Sequence, residues 1–443
     1  MLSKIKNRIS YIRQHWFVKN LLFFQAGDFA ANVTQAIIGI FIVRLLQPES
    51  YGLYALAFSL SGFMTVFLGL ATPMAATTLL SEAHAQNDRK KMREIFAFLV
   101  KMTFVLSLLI LIGAIFAPWL GRVFYDNYKI GVYASILLIA TAIGSTFYSF
   151  TFIALQITRR IRTMTILAFS NQFSRSILAL LFIIAGLGAA GAVSGHLVGS
   201  VIVFIAAILV WRKISRQDSS IPSIRNLMAN FFRAPVKKYL GFSIWITADS
   251  NLANLYNILP IMLTGMFVTA TEVTFFKLAF GYINLALSLI GPISTLLNVE
   301  FPKMKVAEDS RDVLLKNFWK VSKYTLLFSA VLTAGAILVA PLAFRILYGS
   351  TFDASVKYVA GLFLYGATMG MGVGFGPMWR AINKVKLSII INVITLGVGV
   401  PIGLLLIKNY GLWGTVLWVT LIFNVSHIAS FALIVREIKK LKP

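Results

Sequence analysis

The segment Gly188-Ala189-Ala190-Gly191-Ala192-Val193 returns 223 residues later as Gly411-Leu412-Trp413-Gly414-Thr415-Val416, with both glycines and the valine in place. The same shift carries Ala117-Pro118 onto Ala340-Pro341, Arg122 onto Arg345 and Tyr125 onto Tyr348. One shift that joins such distant points indicates a duplicated unit. Duplicated membrane units are typical of transporters that move one half against the other.

The residues between these landmarks are mostly apolar. Hydrophobic residues make up 58% of the chain and the mean hydropathy is +0.82, more than a soluble core of this length needs. Stretches of about 20 apolar residues recur, and each can cross roughly 30 Å of hydrocarbon as a helix. We therefore predict an all-α integral membrane protein with twelve transmembrane helices in two six-helix bundles. The predicted spans are 21–45, 53–79, 95–117, 130–156, 164–187, 189–211, 239–266, 273–298, 318–344, 356–379, 386–407 and 411–435.

The basic residues set the orientation of these spans. The chain carries 41 lysines and arginines against 15 acidic residues, a formal net charge of +26. With the N-terminus inside, most of the basic residues fall in cytoplasmic segments, above all 89–93, 159–162 and 212–238. This asymmetry predicts an N-in, C-in topology and contact of the inner face with anionic membrane lipids. Nucleic-acid binding is the weaker explanation of the charge, and we expect no nucleic-acid partner.

The spans also predict the division of the chain. Residues 1–20 have the pattern of a cytoplasmic amphipathic helix, 21–211 of an N-terminal six-helix bundle and 239–435 of a C-terminal one. A cytoplasmic linker, 212–238, joins the bundles, and 436–443 form a basic cytoplasmic tail. The chain has no cysteine, so it has neither disulfides nor thiol chemistry.

Two spans carry polar stripes inside the predicted hydrocarbon region. The first span has Gln25, Asp28, Asn32 and Gln35 on one helical face. The seventh has Ser250, Asn254 and Asn257 on the corresponding face, flanked by Asp249. We favour a central cavity lined by both stripes, since a carboxylate in mid-membrane needs a partner or a wet cavity. The alternative is hydrogen bonding that only joins helices.

Arg175 is the most informative single residue. It lies near the centre of the fifth predicted span, beside Asn171 and Gln172. A guanidinium stays charged and can hold a phosphate through a planar fork of donors. The functional interpretation is a phosphate anchor, or a mobile gate that pairs with Asp28 or Asp249. The structural alternative is a permanent ion pair with one of those two acids.

Two further cations and one glycine-rich span are candidates for cargo contact and movement. Lys277 and Arg380 lie near span ends, where each can reach the interface by itself, but together they could form cationic mouths for an anionic cargo. The tenth span, 356–379, is crowded with glycine and is expected to bend or break. No nucleotide-binding loop or metal-ligand cluster stands out, so we expect no cofactor and no metal. Transport would then be coupled to an H⁺ or Na⁺ gradient, with Asp28 and Asp249 as the candidate coupling residues.

The segment 43–55, Val43-Arg44-Leu45-Leu46-Gln47-Pro48-Glu49-Ser50-Tyr51-Gly52-Leu53-Tyr54-Ala55, resembles the opening signature of the polysaccharide biosynthesis, or oligosaccharide flippase, family. Phe67-Leu68-Gly69-Leu70-Ala71 and the basic loop at 89–93 continue the resemblance to a Wzx-type flippase of the multidrug/oligosaccharidyl-lipid/polysaccharide (MOP) exporter superfamily. The resemblance implies a MATE-like fold in a bacterial inner membrane. It also implies movement of undecaprenyl-pyrophosphate-linked oligosaccharide between leaflets by alternating access, with Arg175 facing the pyrophosphate.

Two other functions stay open at this point. A multidrug or cation antiporter of the MATE type is compatible with an acidic residue in the first span. A membrane glycan polymerase would need a large outer loop with catalytic residues, and the short outer loops argue against an enzyme. The expected partners are the lipid-linked oligosaccharide and, as a further possibility, a glycan polymerase and a chain-length regulator, around a protein expected to be a monomer.

Overall fold

The computed structural model describes residues 16–68, 72–232, 234–304 and 310–441, and no strand occurs among them. The α-helices are α1 (Trp16–Leu68), α2 (Thr72–Ala85), α3 (Arg89–Tyr125), α4 (Tyr128–Ile157), α5 (Ile161–Phe182), α6 (Gly188–Gln217), α7 (Ile224–Asn230), α8 (Val236–Thr264), α9 (Ala270–Leu287), α10 (Gly291–Met304), α11 (Ser310–Leu347), α12 (Val356–Gly361), α13 (Phe363–Met369), α14 (Phe375–Ala381) and α15 (Val385–Lys439). The expected all-helical fold is confirmed, and it follows from apolar segments whose backbone groups find no partner in lipid. Residues 1–15 of the predicted amphipathic helix at 1–20 lie outside the described residues.

A π-helical turn, Ile183–Leu187, separates α5 from α6 and reverses the chain. The turn ends at Gly188, whose φ of 53° and ψ of −141° favour glycine. Along α6, Gly191 lies against Phe182, Gly195 against Ala179 and Gly199 against Arg175. The partner numbers fall as the glycine numbers rise, so α5 and α6 are an antiparallel hairpin.

The same kind of chain reversal at a glycine occurs inside α15. Gly411 interrupts this helix with φ 55° and ψ −132°, close to the values at Gly188. Gly403 lies against Trp418, and Gly414 against Leu406, so the two parts of α15 are also antiparallel. The repeated sequence segments therefore fold into the same local structure, which supports the duplication read from the sequence.

Two more turns repeat between the halves. Asp126 after α3 has a φ of 50°, and Gly349, 223 residues later and after α11, has a φ of 96°. Arg159 and Asn383 have φ values of 57° and 58° and end α4 and α14. These residues sit at the chain reversals, where a left-handed residue stops a helix.

Seven helices in the described part of the chain are long and apolar enough to span a membrane. An eighth span results when the segments 350–361 and 363–381, bent by 58°, are counted together. Many large apolar side chains on these helices are exposed, for example Leu338 at 82% and Ile115 at 75%, as lipid contact requires. The chain is thus a multi-pass membrane protein, and the count of twelve spans and the N-in, C-in orientation stay predictions.

The contacts divide the chain into two compact units. The first comprises 1–46, 67–121 and 128–247, and the second comprises 47–66, 122–127 and 248–443. The segment 47–66 follows a break at Gln47, where φ is 61°. This segment packs within the second unit, whereas the sequence assigned it to the N-terminal bundle. The predicted bundles 21–211 and 239–435 remain a prediction.

Each unit has an aromatic core. In the first unit Trp211 packs edge-on against Phe96 and Phe150, at ring separations of 5.4 and 5.1 Å. In the second, Phe318 is fully buried and stacks on Phe431 at 5.3 Å. These contacts join α3, α4 and α6 in the first unit and α11 to α15 in the second.

The glycine-rich tenth span breaks as predicted. A 3₁₀ turn, Gly370–Gly374, separates α13 from α14. Gly370 lies against the backbone of Thr325, and its N–H donates to Ser329 Oγ at 3.1 Å. Close packing on α11 therefore accounts for at least one of the glycines, and a hinge movement at this span stays a prediction.

Candidate functional site

Arg175 lies on α5 where three helices of the first unit meet. Its guanidinium occupies the space beside Gly144 of α4, since a β-carbon there would overlap Nη2 of Arg175. On the other side, a β-carbon at Gly199 of α6 would stand 2.6 Å from Arg175 Cα. Ser200 of α6 also faces Gly144. Two glycines thus admit a large cation into an interface between helices.

The described surroundings of Arg175 are polar, and no carboxylate among them compensates its charge. Arg175 forms no ion pair with any side chain that the structure describes, and its Nε is buried without a hydrogen-bond partner. Buried atoms of two neighbours, Oδ1 of Asn171 and Oγ of Ser200, also lack partners. The Tyr148 hydroxyl of α4 lies near both Asn171 and Arg175.

This arrangement has a chemical consequence. A guanidinium has five N–H donors and no acceptor, and burial makes an uncompensated charge costly. An anion that enters beside Arg175 would therefore be bound by charge and by directed hydrogen bonds. The amide and hydroxyl groups nearby could bind further oxygens of the same ligand.

The first and fifth predicted spans meet next to this region. The side-chain amide of Gln172 donates to Gln35 Oε1 at 2.8 Å. Both residues border a narrow crevice between α1 and α5, which is also lined by Thr34 and Ser176. For Gln35 and Gln172 the structure shows the helix-joining hydrogen bond that the sequence offered as an alternative to cavity lining. Asn32, one turn away on α1, is exposed.

In the second unit the polar residues of α8 divide between packing and exposure. Asn254 and Asn257 are exposed. Asn251 donates its amide to the Val66 carbonyl at 2.9 Å and so joins α8 to the segment 47–66. Tyr256 hydrogen-bonds Ser426 of α15 at 3.4 Å. Asn254 and Asn257 therefore keep a surface available, whereas their neighbours hold helices together.

Lys277 on α9 lies in a cage of aromatic rings. Its Nζ is 5.2 Å from the ring centre of Tyr51, 5.9 Å from that of Tyr54 and 6.0 Å from that of Phe58. Next to it Thr274 donates to the Pro48 carbonyl at 2.6 Å. The cation is thus held against 47–66 by ring faces.

Arg380 is tied to one acceptor. Its Nε and Nη2 both donate to Oδ1 of Asn298 on α10, at 3.1 and 2.7 Å. Both side chains are exposed. Arg380 is therefore oriented by α10, with donors left for a ligand.

The side chains of four predicted site residues lie outside the described part of the structure. Asp28 and Gln25 on α1, and Asp249 and Ser250 on α8, lie on described helices, but their side chains are outside the described part of the structure. Their roles, including ion coupling and pairing with Arg175, stay predictions. In the first unit, Gln172 and Gln35 bind each other, and Arg175 lies against Gly144 and Gly199. Lys277, Arg380, Asn254 and Asn257 are in the second, each with separate surroundings.

Sequence reasoning missed the residues that shape these sites. Gly144, Tyr148 and Ser200 surround Arg175, and Asn298 orients Arg380. On the fourth predicted span, Gly144 and Tyr148 lie one helical turn apart, and this pairing of a glycine with a polar residue is only a weak sequence indication of a site. Nothing local connects Tyr54 with Lys277, because the pairing depends on how distant helices meet.

Comparison with known families identifies the chain. The family described as "Polysaccharide biosynthesis protein" matches residues 17–305. This chain belongs to that family. The match covers the first unit, the segment 47–66 and the start of the second unit, so it includes Arg175 and Lys277. No curated protein sequence matches the chain.

Solved structures show the fold of this family member. The chain superposes on an inward-facing multidrug resistance MATE transporter of the MOP superfamily with a TM-score of 0.72 and 15% identity, over 92% of this chain and 96% of that one. The lipid II flippase MurJ, inward closed, gives 0.64 at 15% identity over 95% and 89%. The MATE multidrug transporter DinF-BH gives 0.66 at 19% identity over 94% and 94%. The chain thus has the fold shared by these transporters and flippases, and the expected MATE-like fold is confirmed.

Proposed function

We propose that this protein is a flippase that moves undecaprenyl-pyrophosphate-linked oligosaccharide from the inner to the outer leaflet of the bacterial cytoplasmic membrane. Membership of the polysaccharide biosynthesis family supports glycan export, and the fold is one on which lipid flippases are built. Alternating access of a secondary transporter, with no enzymatic step, would carry the cargo across. The product would be a surface polysaccharide.

Arg175 is the observation that carries this proposal. It is half-buried among helices, has no carboxylate partner among the described side chains, and keeps Nε unpaired. A buried cation without a counter-ion is costly unless a ligand supplies the charge. A pyrophosphate offers several oxygens to the guanidinium fork. Sugar hydroxyls could bind exposed amides such as Asn32, Asn254 and Asn257.

The cargo site is tested by replacing the guanidinium. In a bacterial strain that lacks its own flippase, Arg175→Ala should reduce surface glycan at least about thirtyfold, the effect of about 2 kcal/mol from losing a buried charged partner. Arg175→Lys should restore little, because an ammonium lacks the fork. Arg212→Ala, an exposed arginine on α6, is the matched control. Full glycan export by Arg175→Ala at normal protein levels would contradict the anchor.

We also propose twelve spans with both termini inside. The break at Gln47 divides α1, the break at Gly411 divides α15, and the turn at 183–188 separates α5 from α6, which gives six segments. With α3, α4, α8, α9–α10, α11 and α12–α14, these segments give twelve crossings. Basic residues at 89–93 and 212–238 would then lie on the cytoplasmic side.

Because the chain has no cysteine, single cysteines can test this topology directly. A membrane-impermeant maleimide added to intact cells should label Asp126→Cys, Leu187→Cys and Tyr410→Cys. Gln86→Cys and Lys213→Cys should react only after the membrane is opened. Labelling of Leu187→Cys from the inside alone would show that α5 and α6 do not form two crossings.

A multidrug or cation antiporter is the second candidate, because MATE transporters share the fold over most of the chain. Under that function Asp28→Asn or Asp249→Asn should abolish ion-driven drug efflux. Under the flippase proposal, expression should not raise resistance to cationic drugs, whereas it should restore surface glycan. Drug resistance without glycan rescue would favour the antiporter.

A further inference from the structure

A basic cavity lies where the start of α3 meets the linker. Its volume is about 480 Å³, and its lining includes Arg89, Lys90, Arg93 and Glu94 from α3 and Ala234 and Pro235 from the linker. All of these residues belong to the first unit. The cavity is separate from Arg175, which lies on α5 near the middle of its span.

Three cations of this cavity pair with no acidic side chain in the described part of the chain. Arg89, Lys90 and Arg93 are exposed and form no ion pair with any described side chain, whereas the neighbouring Lys91 pairs with Glu82 at 3.5 Å. The one carboxylate in the lining, Glu94, is 3.5 Å from Lys238 Nζ. The cavity thus keeps an excess of positive charge and one oxygen acceptor.

The linker continues from this cavity along α3 as an apolar surface. Phe231 packs edge-on against Phe104 at 5.6 Å, and Lys101 Nζ donates to the Phe232 carbonyl at 3.4 Å. The rings of Phe232 and Phe104 are 85% and 51% exposed. From Arg93 to Phe104 the helix rises about 16 Å. A charged cavity and exposed aromatic rings therefore lie along one helix, at a spacing that suits a lipid headgroup and the start of its acyl chains.

We propose that this cavity binds the headgroup of an anionic phospholipid, phosphatidylglycerol, in the leaflet on the linker's side. The phosphate would lie among Arg89, Lys90 and Arg93, where arginine can bind two oxygens at once. The glycerol hydroxyls can donate to Glu94, and the acyl chains can lie against Phe104 and Phe232. A polyprenyl diphosphate fits less well, because it carries more negative charge toward Glu94 and has no hydroxyl to donate. The inference does not depend on the identity of the transported cargo.

The test measures lipid retention by the purified full-length protein. The protein is placed in phosphatidylcholine nanodiscs with one part in five of phosphatidylglycerol, and retained lipid is counted by native mass spectrometry. The combined variant Arg89→Gln, Lys90→Gln, Arg93→Gln should lose phosphatidylglycerol at least tenfold. The matched control removes the same charge from exposed positions of α11, the equivalent helix of the second half, as Lys316→Gln, Lys320→Gln, Lys323→Gln. It should retain lipid within twofold of the wild type.

Three outcomes would overturn the proposal. The first is an equal loss in both combined variants, which would show charge attraction without a site. The second is displacement of phosphatidylglycerol by undecaprenyl diphosphate at a lower concentration than by phosphatidylglycerol itself. The third is competition by millimolar inorganic phosphate alone, which would show an ion site. If the triple variant unfolds in detergent, Arg93→Gln alone should still lower the rise in unfolding midpoint that added phosphatidylglycerol gives the wild type.

Discussion

Gly144→Ala tests whether the position of the Arg175 guanidinium matters, without touching its charge. Gly144 lies on α4, and a β-carbon there would overlap Nη2 of Arg175 and stand 3.1 Å from Cβ and Oγ of Ser200. The guanidinium is the far end of a flexible side chain, so it can move away. To restore van der Waals separation it must move by about 1 Å.

The magnitudes separate stability from function. Glycine to alanine in a helix interior stabilises by about 0.5–1 kcal/mol, which offsets part of the local crowding, so the folded protein should persist. A displacement of about 1 Å in a group that positions a ligand can cost about a hundredfold. We therefore expect near-normal protein levels and unfolding temperature, with glycan export reduced between about tenfold and a hundredfold.

The assay combines thermal unfolding in detergent with surface glycan in a flippase-deficient strain. Gly39→Ala on α1 is the matched control, since a β-carbon there meets no atom within 4 Å. It has the same helix-propensity gain without the clash. The reasoning is refuted if Gly144→Ala exports glycan as well as Gly39→Ala while Arg175→Ala does not.

Three further predictions concern packing, charge and pH. Gly195→Ala would drive a β-carbon into the backbone of Ala179, and such overpacking should lower the free energy of unfolding by about 1–3 kcal/mol, seen as a lower unfolding midpoint. Lys277→Met should raise the unfolding midpoint, because it removes a desolvated cation that ring faces hold. The same variant should reduce glycan export. A lower unfolding midpoint would contradict the aromatic cage around Lys277. In the linker, burial by itself would raise the pKa of the Asp218 carboxyl group, but hydrogen bonds from Ser220 to the carboxylate outweigh burial and lower that pKa. The stabilisation that these hydrogen bonds give the folded protein is therefore present above the ordinary aspartate pKa and is lost as pH falls through the lowered pKa. Asp218→Asn should therefore be less stable than the wild type by roughly 1 kcal/mol at pH 7, and the difference should vanish in acid; a constant difference down to pH 2 would show that the carboxylate charge plays no part.

Local sequence properties were sufficient to predict the helical fold and the internal repeat. A chain segment that is apolar over about 20 residues can only be helical in lipid. Gly188 and Gly411 both adopt a positive φ, which few other residues adopt easily. Because these constraints act within a few residues, the duplicated reversals could be predicted from spacing alone.

The candidate site was predictable only in part. A charged residue in an apolar segment identifies itself, so Arg175 was found at once. Gly144 and Tyr148 were not, because their importance comes from facing Arg175 on another helix. Gln35 and Gln172 were predicted to line a cavity, and only the structure shows that their side chains bind each other.

The sequence by itself determined that this chain is a duplicated, multi-pass helical membrane protein with an arginine inside an apolar segment, because hydropathy, charge and backbone preference are properties of short segments. Only the tertiary structure decided which helix faces meet. It placed 47–66 with the second unit, Lys277 among Tyr51, Tyr54 and Phe58, and the guanidinium of Arg175 in the space left by Gly144. The physical reason is that close packing between helices depends on side-chain shapes from residues far apart in the chain.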